Sequence, residues 1–270
     1  MIDTMFNEYP RPKAAQGLIV QAWKDRPLLL VFLACVLIEI ALVLLDLYVN
    51  WFRWADSSAI RRMFNITRED GLASLFAVVQ TLLVAIVVWL IYFLTARKPG
   101  KKMQTLGWLV LALFFSYMVI DDGAMVHERI GTAFKQANAG IELHSYAWQL
   151  VLAPLFVMMG LFMGWFLWQQ GGQSIRRGWL IVALLCLGMA VALDYVEGVD
   201  GAHQALSGWV SWPEKTIAHF SKSLEEFLEM LGMSLFLILF LDHLAYLSEK
   251  IEIRIFKRKV QIIDRSDPPA

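Results

Sequence analysis

Six stretches of this chain run for about twenty residues with hardly a polar position: 28–50, 72–95, 105–126, 146–169, 179–197 and 224–247. A helix of roughly 20 residues, rising 1.5 Å per residue, crosses the ~30 Å hydrocarbon layer of a bilayer. The apolar positions are continuous, where a one-sided surface helix or a half-buried strand would alternate with polar ones. The pattern therefore predicts an all-α fold, a polytopic membrane bundle of about six transmembrane helices. Residues 1–27 form an N-terminal cytoplasmic segment, 28–247 the membrane domain and 248–270 a cytoplasmic tail. In the tail, Ile251, Ile253 and Ile255 alternate with charged residues, which suits a strand or an extended arm. No repeat, low-complexity tract or Pro/Gly/Ser-rich linker divides the chain. The first 26 residues are mixed polar sequence, so the first span is expected to be its own anchor, with no cleavable signal.

Composition strengthens this reading: 58% of residues are hydrophobic and only 18% charged, too few for a soluble surface. Basic and acidic residues balance at 24 each, so no basic face is available for phosphates. Nucleic acid is therefore not an expected partner; the lipid bilayer is. Cys35 and Cys186 both fall inside spans and read as small hydrophobes. With the N-terminus in the cytoplasm, sixteen of the 24 Lys and Arg lie on cytoplasmic segments, among them Arg97, Lys98, Lys101 and Lys102. The positive-inside rule then puts both termini in the cytoplasm and the protein, multi-pass, in a bacterial inner membrane. Trp51, Trp54, Trp108, Trp148, Trp168, Trp179, Trp209 and Trp212 sit at or beside span ends, as headgroup anchors do.

On this topology the acids and imidazoles separate to one side. Span three ends in Asp121, Asp122, His127 and Glu128, and Glu142 and His144 precede span four. Span five ends in Asp194 and Glu197, with Asp200 and His203 beyond it, and span six opens with Glu225, Glu226 and Glu229. Acidic groups at a membrane boundary turn toward the bundle interior and need a positive counterpart. Nearby cations are few (Arg129, Lys135, Lys215 and Lys222), so a bound metal, shared protons or a partner protein must supply the rest.

Helical spacing places Asp121 and Glu128 on one face, and pairs Asp194 with Glu197 and Glu225 with Glu229. Carboxylates and imidazoles converging from several helices follow the logic of carboxylate-bridged metal bundles, although the Glu-x-x-His step of such bundles is absent. Without an outer cysteine, the donor set suits Fe, Mn, Zn or Cu. Some of these residues also have structural readings. Ser223-x-x-Glu226 reads as a capping box and Thr67-x-x-Asp70 as its analogue at span two, with Glu69 and Asp70 as first-turn acids. His219 is expected just before a helix start. A separate acidic stripe is formed by Glu39, near the middle of span one, and Asp46 on the same face. An intramembrane Glu is a functional hypothesis by default, and its structural alternative is a protonated Glu39 bonded to Gln80 or Gln149.

Asp121-Asp122 with His127-Glu128, and Glu225-Glu226-Phe227-Leu228-Glu229-Met230-Leu231-Gly232 opening the last span, resemble a loose group of bacterial polytopic membrane proteins of unknown function. The resemblance implies no activity. A fainter likeness, in residue order but not in spacing, links Asp122, His127, His144 and Pro154 to the copper-binding subunit of membrane methane and ammonia monooxygenases.

Three function classes fit the sequence. The first is a membrane oxidoreductase or hydrolase with an outer metal site drawn from Asp121, Asp122, His127, Glu128, Glu142, His144, Asp194, Glu197, Glu225 and Glu229. The second is an accessory or assembly subunit, docking other subunits or a second copy through the acidic rim. The third is a proton- or cation-coupled carrier or channel using Glu39 and Asp46.

Overall fold

The computed structural model describes residues 13–138, 146–170, 177–199, 201–249, 251–256 and 259–264. The chain folds as a helical bundle in which six helices are long and apolar enough to cross a membrane. They are α1 (Lys13–Asp46), α3 (Leu72–Ala96), α4 (Lys102–Ala124), α6 (Ala147–Gln170), α7 (Arg177–Gly198) and α9 (Glu214–Glu249). Three short helices, α2 (Ser58–Phe64), α5 (Val126–Ala137) and α8 (Ala202–Val210), lie together at one end, where α1, α4 and α7 finish and α3, α6 and α9 begin. A π-helical turn, Leu47–Trp51, extends α1. The isoleucine alternation in the tail becomes strand β1 (Ile251–Phe256), paired antiparallel with β2 (Lys259–Asp264).

Two boundaries differ from the sequence expectation in ways that matter. The last span begins at Glu214 rather than at 224, so His219 and Ser223 are inside α9. The Ser223 hydroxyl accordingly donates back to the His219 carbonyl at 2.9 Å, and no capping box forms. The third span stops at Ala124, because Met125 takes a left-handed conformation (φ 52°) and α5 starts in a new direction. Asp121 and Glu128 therefore do not share a helix face. At α3 the cap is Gly71, with no side-chain cap bond; Thr67 turns instead to Asn65, and Asp70 to Arg62 and Arg68.

The hub is α9, which packs on α1, α3 and α7. Lipid is as apolar as a leucine side chain, so such helices associate through close packing and polar bonds rather than through hydrophobic transfer. The α7–α9 seam shows it: a Cβ on Gly232 would stand 2.8 Å from Leu187, and Ala183 and Ala190 of α7 are fully buried. Both α4 and α9 lean on α3. Between them, the half away from the short helices is filled by aromatic rings: Trp108 and Phe115 of α4 against Phe236 and Phe240 of α9. The other half holds acids. The outward faces of α1 and α6, including Leu30, Leu37, Leu44, Leu150, Val157 and Leu161, are exposed and meet lipid.

Candidate functional site

Three of the expected site residues meet at the end carrying the short helices. One carboxylate oxygen from each of Asp194 and Glu197 on α7 and Glu225 on α9 lies within 4.8 Å of the others. The three-residue step on α7 puts its two acids on one face, and the tight α7–α9 seam brings Glu225 opposite them. The positive counterpart is Lys222, one turn before Glu225 on α9. Its Nζ is 2.8 Å from Glu225 Oε1, 3.8 Å from Glu197 and from Glu226, and 3.9 Å from Asp194. One cation thus faces four carboxylates. Gln149 of α6 donates to Asp194 at 2.8 Å and Tyr146 donates to Glu197 at 3.3 Å, which orients both acids. Desolvation, then the charges of Glu197 and Asp194, push the Tyr146 phenol up to about 12, with Lys222 opposing, so it stays a donor at neutral pH. Glu225 Oε2 and Glu197 Oε2 are buried and accept no hydrogen bond.

A second group surrounds the break after α4. The buried Asp121 accepts from the His127 backbone N–H at 2.8 Å and stands 2.9 Å from its Nδ1, which pins α5 across the left-handed Met125. The His127 ring also meets Trp148 of α6 edge-on. Burial by itself lowers this imidazole, but the Asp121 hydrogen bond and charge, then Glu128 and Glu69, outweigh it and hold His127 above its ordinary 6.5. A histidine raised on folding contributes stability fully below its unfolded value and loses it as pH rises through the folded one. Amide exchange in α5 is therefore expected to accelerate, beyond its intrinsic base catalysis, as pH climbs above 6.5. In His127→Gln that extra acceleration should vanish; an unchanged profile would show that the ring does not hold α5.

The remaining residues spread out. Asp122 accepts from Thr81 of α3 at 2.9 Å. Glu229 is exposed on α9, with Glu226, Glu225, Asp122 and Lys222 as its charged surroundings. Glu128 is exposed on α5 and His203 lies on α8. Glu142, His144 and Asp200 fall outside the described residues. Asp46 is fully buried; it accepts from Asn50 at 3.0 Å and from the Ile66 backbone at 3.4 Å, and stands 3.3 Å from His219 Nε2. Glu39 pairs with Gln80, while Gln149 goes to Asp194.

Sequence reasoning missed Glu69 and underweighted Lys222. Glu69 reads as a first-turn acid, but the chain folds it toward Glu128, His127, Lys222 and Asp121. Its carboxyl is raised, first by desolvation and then by Glu128. Nothing in the local pattern around Glu69 distinguishes a capping acid from one that a loop carries toward the acids of other helices. Lys222 carries a signal: it is a cation within a helical turn of Glu225 and Glu226.

No curated protein and no solved structure matches the chain. The model of the domain of unknown function DUF8692 matches residues 29–244, all six spans in whole or large part, and the chain belongs to that family.

Proposed function

We propose that this membrane protein binds one oxygen-ligated divalent cation at Asp194, Glu197 and Glu225, as the metal centre of a membrane hydrolase. The observation that carries it is the convergence of three carboxylates from two tightly packed helices, two of whose buried oxygens accept no hydrogen bond. Lys222 offsets one charge, and a dication supplies what the remaining acids still require. Carboxylate oxygens suit Mn2+ from the expected metals, and Mg2+ or Ca2+ by the same donor chemistry. Copper and zinc fit less well, since His127 is committed to Asp121 and His219 lies against Asp46. An all-oxygen donor set favours hydrolytic over redox chemistry; a bound dication there supplies Lewis acidity. Gln149 and Tyr146 orient the ligands. The basic-residue distribution supports placing this end on the outer face of a bacterial inner membrane.

Mn2+ titrated into detergent-purified protein should bind at one ion per chain, read by paramagnetic resonance and elemental analysis. The double variant Asp194→Asn/Glu225→Gln should weaken binding by more than the roughly 10–100-fold that loss of a ligand's hydrogen-bond partner costs, while leaving the elution profile of the folded protein unchanged. A parent that retains no stoichiometric Mn2+, Mg2+ or Ca2+ would remove the proposal.

A further inference from the structure

Three buried acids are left unused by the metal centre: Asp46 and Asp121, each facing a histidine, and Glu39. Glu39 is fully buried on α1, well away from the acidic end, and contacts α3 and α9 through Gln80 and Ser234. Its two oxygens are unequal. Oε1 accepts twice, from Gln80 Nε2 at 2.9 Å and from the Ser234 hydroxyl at 2.6 Å, while Oε2 is buried and accepts nothing. Gln80 Nε2 also donates to Ser234 Oγ at 2.8 Å, and Gln80 Oε1 is a buried acceptor without a donor. The other titratable groups facing the pocket are Cys35 of α1 and Cys186 of α7, and among the described residues no Lys, Arg or His forms an ion pair with Glu39.

From this arrangement we infer that Glu39 is a proton-binding site inside the membrane, carrying its proton on Oε2. A carboxylic acid has one carbonyl oxygen, which accepts through two lone pairs, and one hydroxyl, which donates. Oε1 behaves as the carbonyl. A hydroxyl on Oε2 and the undonated Gln80 Oε1 are then complementary, a donor and an acceptor left over on two residues already joined by the 2.9 Å bond. A carboxylate here would be an unpaired charge in an apolar interior with one amide and one hydroxyl to solvate it, a far costlier state than the neutral acid. A metal ion fits poorly, because Gln80 Nε2 and the Ser234 hydroxyl turn donors rather than lone pairs toward Oε1 and Glu39 is the one carboxylate in the group. Loss of the proton would turn the link between α1, α3 and α9 into a buried anion, so occupancy of this site controls how α1 is held.

Infrared difference spectra of the parent against Glu39→Gln test this in detergent or liposomes at neutral pH. The parent should show a carboxylic-acid carbonyl band that the variant lacks and that shifts in D2O. Ser234→Ala, which removes one donor from the carbonyl oxygen, should move that band to higher frequency without abolishing it, so the test stands even if Glu39→Gln folds poorly. A parent spectrum in which Glu39 contributes only carboxylate bands, or carboxylate bands that respond to Na+, would overturn the inference.

Discussion

Lys222→Met is expected to destabilise the protein by roughly 2–4 kcal/mol at neutral pH in the presence of a chelator, because it strips the cation from a group of partly buried carboxylates. The loss falls somewhat short of the ~3–5 kcal/mol of a fully buried broken pair, since 22% of the Lys222 side chain remains exposed. Methionine keeps the length and apolar stem, so the loss reports charge rather than packing. Saturating Mn2+ should restore much of the lost stability, as should mild acid, which protonates the excess acids. Thermal unfolding in detergent, with and without metal, measures both. A variant as stable as the parent under chelation would show that the four acids do not carry charge together.

Gly107→Leu is expected to have a comparable effect, for a steric reason. A Cβ at Gly107 would lie 2.1 Å from Phe166 Cε2, with two more ring carbons within 2.7 Å. The Phe166 ring has little freedom to yield, being stacked on Phe162 at 5.6 Å and set edge-on to Trp108 at 5.3 Å. Gly107 is thus the opening through which α6 reaches α4. Overpacking a fixed site costs about 1–3 kcal/mol, and three inserted side-chain carbons beyond the Cβ place this one at or above the upper end. Unfolding midpoints compared with Gly123→Leu, where a Cβ meets nothing within 4 Å, isolate the effect.

The membrane class and the positions of all six spans are legible in the sequence because unbroken apolar length is a one-dimensional signal. The acidic end is legible for the same reason: the helices alternate direction, so acids at alternate span ends must share a level. Which acids touch is a three-dimensional matter. Asp194 and Glu197 were readable as a pair from their spacing, but Glu225 joins them only because Gly232 lets α9 close on α7. The seven-residue spacing of Asp121 and Glu128 suggests one helix face and hides the break between them, since methionine is not a residue that announces a left-handed turn. The early start of α9 is not legible because Glu214–Ser223 is mixed polar sequence without the apolar length that marks a span.

The bond between Ser234 and Glu39 joins residues 195 positions apart, the first span to the last. A ribosome delivers α1 to the bilayer long before α9 exists, so for most of synthesis Glu39 lacks one of its two donors. The five earlier helices likewise lack the element on which α1, α3 and α7 converge. The contacts that tie α1, α3 and α7 together through α9 can therefore form only once α9 has been made.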